Sequence, residues 1–252
     1  MPQLSFDPLK LLPMVILFIT AMPSDATEHS SPLKQSSQII VVVTESWNTP
    51  DGVAYWFDRQ TDWNWRLRGG PTPVLIGRAG LAWGRGENNR ADLTGPIKRE
   101  GDDKAPAGVF RLGTAFGYGR NSVATRMPYL RLSTRIVAVD DPASRYYNQL
   151  VDKSKVSKPD WQSAENMVLA DNRYQWGVVV RHNVPPIPRA GSCIFLHVWK
   201  DSVTATSGCT AMSKGSLVTL LRWLDPSERP ALVQLPRAIY NQQRPRWGLP
   251  AL

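Results

Sequence analysis

The chain of 252 residues holds only two cysteines and three histidines. Two cysteines exclude a disulfide framework, and with so few histidines at wide separations the spacing of a structural zinc site is missing. No GKS/T loop is present, and the glycines of GRAGLAWGRG lack the spacing and helix context of a dinucleotide fingerprint. The sequence therefore implies neither a nucleotide cofactor nor a metal. No repeat of fixed period and no Gly/Ser linker interrupts residues 38–235, which argues against a solenoid or a string of small domains. A long hydrophobic run is also missing. The most apolar stretch, LLPMVILFITAM, covers residues 11–22, contains Pro13, and falls short of the roughly 20 apolar residues that a spanning helix needs.

That short stretch follows MPQLSFDPLK and precedes PSDA, where Ser24 and Ala26 suit a signal peptidase. Residues 1–26 read as a secretory signal peptide. Lys10 offset by Asp7 leaves the alternative of an uncleaved tether. Cleavage removes Lys10, Asp7 and Asp25, one positive and two negative charges, so a formal charge of +9 becomes +10. Such a surface favours polyanions. For an exported protein the expected partners are lipid headgroups or an acidic cell-wall polymer, with nucleic acid last in order and no integral membrane span after cleavage.

What is abundant is apolar and aromatic: 42% hydrophobic residues with ten tryptophans suffice for a packed core. From Gln38 onward, IIVVVTESW, GVAYWFDRQ, WNWRLRGG and PVLIGRAGLAWG are short β-branched or aromatic runs broken by turn residues, the signature of strands. Residues 89–104 read as a charged surface loop. VFRLGTAFGYG, residues 131–139, residues 176–182 and IFLHVW at 194–199 continue the β pattern, with a short helix expected at 161–169. SKGSLVTLLRWLD places Leu217, Leu220, Leu221 and Leu224 at helical spacing between an N-cap at Ser213 and a stop at Pro226. The expected organisation is a leader at 27–37, one mainly β domain at 38–235 and a Pro/Arg-rich tail at 236–252 that either docks or frays. The Trp and Arg interleaving of YWFDRQTDWNWRLR fits core strands with amphipathic arginines better than a base- or sugar-stacking groove.

The chemistry centres on LHVWKDSVTATSGCTAM, residues 196–212. His197 and Cys209 are either a catalytic pair, or a core histidine beside half of a Cys193–Cys209 disulfide. In an extended strand Cys193, Phe195 and His197 share a face, with Cys193 roughly 13 Å from His197. A disulfide needs Cα atoms within about 7 Å. The two readings therefore nearly exclude each other. Favouring catalysis, Ser207 and Gly208 precede the cysteine and offer close backbone approach and N–H groups for an anion. A protonated histidine beside the thiol would make thiolate the resting form. His182 reads as a strand-end residue, and His29 lies in the leader.

His197 followed by Thr206-Ser207-Gly208-Cys209 resembles the signature of the L,D-transpeptidase family with a YkuD-type catalytic domain, a histidine and then S/T-H-G-C. KREGDDKAPAGVFRLG, residues 98–113, resembles that family's acidic-glycine loop and T-P-x-G-x-F motif, with Ala105 in the place of threonine. The resemblance covers about residues 38–235. It implies a β-sandwich-like fold, a periplasmic or cell-wall location, and peptidoglycan stem peptides as substrates. It implies Cys209 as nucleophile, His197 as general base and acid, and Gly208 as oxyanion donor or orienting residue. Ser207 occupies the family's second-histidine position and Ala211 the position of a frequent arginine. Arg181 or Arg189 is expected to supply the missing carboxylate grip.

Overall fold

The computed structural model describes residues 1–3, 31–88, 93–118 and 124–252. The apolar stretch behind the signal-peptide expectation lies outside these residues, as do residues 89–92 of the expected surface loop.

Thirteen strands and two α-helices are present among the described residues. β1 (Gln38–Thr44), the IIVVV run, is buried along its whole length because it is central, with β2 (Asp51–Arg59) antiparallel on one side and β13 (Ala231–Pro236) parallel on the other. β3 (Trp65–Leu75) pairs with β2 and runs on through PVL, merging two runs that the sequence separates. β4 (Leu81–Trp83) and β6 (Tyr129–Arg131) both lie parallel to parts of β5 (Ala105–Gly117). A small antiparallel sheet is formed by β7 (Ile136–Val139) between β8 (Gln149–Asp152) and β9 (Ala164–Asn166). β10 (Trp176–Val180), β11 (Phe195–Val198) and β12 (Thr210–Met212) complete the large sheet.

The architecture is mainly β, and the large sheet closes on itself. Its order β10-β11-β12-β3-β2-β1-β13-β5 returns to β10 through a further β5–β10 pairing, giving an eight-strand barrel-like ring. Two facing sheets, as the resemblance implied, would require β5 to stop after β13. Instead its first half pairs with β13 and its second half with β10. Gly108 permits the bend, with φ of +135° and Asn88 Oδ1 only 2.4 Å from where a Cβ would stand.

The helix α1 (Lys214–Trp223) begins where the sequence indicates: Ser213 Oγ accepts the Ser216 N–H at 3.1 Å. Leu217, Leu220, Leu221 and Leu224 are buried, and the helix packs on β10 and β11. Burying each leucine is worth about 1.5–3 kcal/mol. The tail docks. It forms α2 (Arg237–Trp247), which buries Tyr240 and Trp247 against the body near β1 and β13, and Ser31 Oγ of the leader donates to the Trp247 carbonyl at 2.6 Å. The expected helix at 161–169 is replaced by β9, whose Ala164, Glu165 and Asn166 pair with Val139, Ala138 and Val137. A three-residue strand is too short to show alternation, which is why the sequence hides it.

Candidate active site

β11 and β12 run parallel, with His197 opposite Ala211 and Leu196 opposite Thr210. One step back along this register Phe195 stands opposite Cys209, and its N–H donates to Cys209 Sγ at 3.4 Å. His197 and Cys209 thus share one face, on adjacent strands and two residues out of step, with roughly 8 Å between Cα atoms from ordinary strand spacings. Parallel neighbours need a crossover, here the loop 199–209. Asp201 pins its start by accepting from the Val203 N–H and the Thr204 hydroxyl, at 3.0 and 2.7 Å. Its end is tied to the chain after β3, where Thr206 N–H donates to the Ile76 carbonyl at 2.9 Å.

Thr206 also organises the turn before the cysteine. Its hydroxyl donates to the Cys209 carbonyl at 2.7 Å and accepts the Gly208 N–H at 3.1 Å. The Gly208 N–H is therefore engaged rather than open to an anion, and the glycine orients the turn. Its φ is +156°, and a Cβ there would stand 3.2 Å from the Lys104 carbonyl oxygen. Ser207 is exposed on the rim of the same pocket.

The imidazole of His197 is 4% exposed. Its Nδ1 lies 2.7 Å from the Val198 carbonyl oxygen, which can only accept, so Nδ1 carries the proton and Nε2 holds the free lone pair. The Tyr174 ring meets the imidazole edge-on, with centroids 5.2 Å apart. Burial is the main cause that brings the His197 pKa down to about 4. Burial also pushes the Cys209 thiol up to about 12, helped by the negative charge of Glu165 and opposed by the Phe195 N–H, Lys98 and Arg173. The resting state is a neutral thiol, which donates to the Cys193 carbonyl at 3.6 Å, and a neutral imidazole in the same pocket. This corrects the expectation of a resting thiolate, which assumed a charged histidine that so dry a position disfavours.

Both side chains line a pocket of about 370 Å³. Its other walls include Lys98, Glu100, Gly101 and Asp103, so the two motif segments, far apart in sequence, meet around one cavity. Residues 93–104 are accordingly more than a surface loop: Lys98 is 5% exposed and ion-paired with Asp102. Cys193 lines the pocket too, and both cysteines are free thiols. β11 begins only at Phe195, and Cys193 has φ of +53°, so the assumption that Cys193 extends the His197 face of a strand does not hold.

Arg181 and Arg189 are a correction: neither lines this pocket. The β10–β5 pairing slips between Val178 and Val180, and Arg181 emerges exposed beside Gly113 and Thr114. Arg189 is exposed as well and contributes its carbonyl, which accepts from the Glu100 N–H at 2.9 Å. Cationic groups come instead from Lys98, Arg173 and Lys200. His182 is a strut. Its Nδ1 accepts the Arg85 N–H at 3.3 Å, and its Nε2 meets the Ala190 carbonyl at 3.0 Å.

Sequence reasoning missed part of the pocket lining, made by Asp140, Glu165 and Tyr174. The Tyr174 hydroxyl donates to Glu165 Oε1 at 2.9 Å, and burial raises the pKa of both groups. The one signal in the sequence was an acidic residue, Glu165, flanked by apolar and small neighbours in SAENMVLA. Among the described residues no group of three or more His, Cys, Asp or Glu could hold a metal ion, and no helix is long and apolar enough to cross a membrane. In comparison with known proteins, the chain matches no family model and no curated protein.

Proposed function

We propose that this chain is a cysteine-dependent L,D-transpeptidase, exported to the periplasm or cell wall, that cross-links peptidoglycan stem peptides. The closed sheet is, in this reading, a sandwich-like form of that family's catalytic domain. The observation that carries the proposal is the convergence of residues 98–103 and 206–209 on one pocket that also holds His197.

In the first half-reaction, His197 Nε2 takes the Cys209 proton as Sγ attacks the carbonyl of the third residue of a stem tetrapeptide. Starting from a neutral pair, proton transfer accompanies attack, so a separate thiolate is not needed beforehand. The tetrahedral intermediate collapses, the C–N bond breaks, and the imidazolium returns its proton to the departing D-alanine amine, leaving a thioester. An acceptor amine, deprotonated by the same histidine, then attacks the thioester and regenerates the thiol. The neutral Nε2, fixed by the Nδ1–Val198 hydrogen bond, supplies the base in each half.

The same nucleophile and base serve hydrolysis, with water as acceptor, in a carboxypeptidase or in an amidase releasing wall-bound protein. Mass spectrometry of a muropeptide digest tests the proposal: dimers mean transfer, shortened monomers mean hydrolysis, and unchanged products with intact Cys209 refute both. A non-catalytic wall-binding module with a Cys193–Cys209 disulfide is the alternative of another kind. Two titratable thiols in the secreted protein are expected here, and none would favour the binder.

A further inference from the structure

The run YWFDRQTDWNWRLR divides in the structure. Trp56 and Phe57 belong to the core, but Trp63 is 66% exposed in the turn between β2 and β3, and Leu67 is 51% exposed. The antiparallel register sets Phe57 opposite Leu67 and Arg59 opposite Trp65, so these four share one face of the hairpin. There the Arg59 guanidinium lies 4.2 Å from the centre of the Trp65 ring and 5.2 Å from that of Trp63. Trp63 is held in place: its N–H donates to the Gln60 carbonyl at 3.0 Å, and the Gln60 N–H donates to the Asn64 carbonyl at 2.8 Å. Its φ is +66°, a left-handed conformation that glycine or asparagine adopts with little strain and a bulky residue rarely does. A large ring kept exposed on a backbone that disfavours it contributes little to folding, which points to contact with a ligand.

Across an open groove of about 1160 Å³ the hairpin faces the C-terminal end of α2 and the residues that follow it. Trp65 Nε1–H donates to the Gly248 carbonyl at 2.7 Å and pins the two walls together. Trp63, Trp65 and Leu67 line one side, Asn241 and Arg244 the other. Arg244 is the single charged residue of the lining and makes no ion pair among the described residues. The groove shares no lining residue with the pocket at Cys209.

We infer that this groove binds a polysaccharide chain bearing carboxylates. A sugar ring is apolar on its C–H faces and polar around its rim. The C–H faces stack on the electron-rich faces of the indoles, the hydroxyls find the Asn241 amide, and a carboxylate pairs with Arg244 in charge-assisted hydrogen bonds. A lipid surface calls for apolar side chains that project beyond their surroundings, whereas Trp63 and Leu67 line a concave groove. Nucleic acid brings a phosphate with every nucleotide and needs a positively charged track, whereas this lining holds one cation. The glycan of peptidoglycan belongs to the inferred class, and choosing it rests on the reading of the chain as a wall enzyme; binding in the groove does not require Cys209.

The test is calorimetric binding of the full-length protein to two probes. One is peptidoglycan glycan freed of its stem peptides by an amidase, which leaves a carboxylate on alternate sugars; the other is a neutral N-acetylglucosamine oligomer of the same length. Neither probe holds a stem peptide, so the result stands whether or not Cys209 is ever acylated. The expected result is that both bind, the carboxylate-bearing glycan at least threefold more tightly. Trp63→Asn should weaken both at least tenfold while the unfolding midpoint stays unchanged or rises, because asparagine suits the left-handed backbone. Arg244→Gln should remove the advantage of the charged probe and spare the neutral one. Arg181→Ala, outside the groove, should change neither. Absence of binding by the wild-type protein overturns the inference, as does equal affinity for the two probes. An effect of Arg181→Ala equal to that of Arg244→Gln overturns it in favour of unspecific charge, and Trp63-dependent binding of anionic lipid vesicles or single-stranded DNA in place of glycan overturns it in favour of those partners.

Discussion

Two histidines of this protein share nearly every local property and differ in one. His182 and His197 are both buried, both bonded to backbone, and both held at a pKa of about 4 chiefly by burial. At His182 both ring nitrogens have backbone partners, Arg85 and Ala190, and Phe110 packs against the ring. At His197 Nδ1 meets the Val198 carbonyl and the Arg173 backbone also bonds the ring, but the residue lines the pocket that holds Cys209. Burial and a depressed pKa therefore do not mark a catalytic base. What separates His197 from His182 is its place in the wall of the pocket that holds Cys209.

The sharpest way to break this comparison is to exchange each ring for an amide. His197→Gln is expected to lower Cys209 acylation by about 100- to 10,000-fold, measured by single-turnover mass spectrometry. His182→Gln should keep acylation within a few-fold. An equal loss in both variants would erase the distinction.

Acid titration of stability comes next, and here the two histidines should behave alike. Their pKa is about 4 in the folded protein against about 6.5 unfolded, so between these values the unfolded state binds more protons. Stability is therefore intact above about pH 6.5 and falls as pH drops toward 4, by about 3 kcal/mol for each histidine. Denaturant unfolding across this range checks it, and either His→Gln variant should flatten the slope. The rate of acylation should likewise hold down to an acid limb near pH 4, because His197 stays unprotonated above that value. A limb near 6.5 would point to a solvated imidazole.

At constant neutral pH, His182→Gln should cost about 1–3 kcal/mol of stability, because the Arg85 N–H or the Ala190 carbonyl loses its partner. The smallest effect concerns the exposed arginines. Arg181→Ala and Arg189→Ala should change acylation by less than about twofold and stability by less than about 0.5 kcal/mol.

How much of this was legible beforehand depended on periodicity and on local contact. β1, β2, β11 and α1 announce themselves through β-branched runs, or through leucines spaced between a Ser213 cap and Pro226. That His197 and Cys209 come to one pocket was legible as well, since a strand and a twelve-residue return keep them near each other. The wall of Asp140 and Glu165 was not. It depends on a three-residue strand pairing across a separate small sheet, a long-range arrangement with no local pattern. The protonation states were hidden for a related reason: only the folded surroundings reveal that the sulfur and the imidazole are dry enough to stay neutral. Arg181 misled because closeness to His197 in sequence does not bring its side chain to the pocket: it lies exposed beside Gly113 and Thr114.

The most direct test of the central claim is peptide mapping after incubation with a stem tetrapeptide. The account predicts an added mass equal to the peptide minus D-alanine, confined to Cys209 and absent from His197→Gln protein. An unmodified Cys209 in protein that still processes the peptide would contradict it.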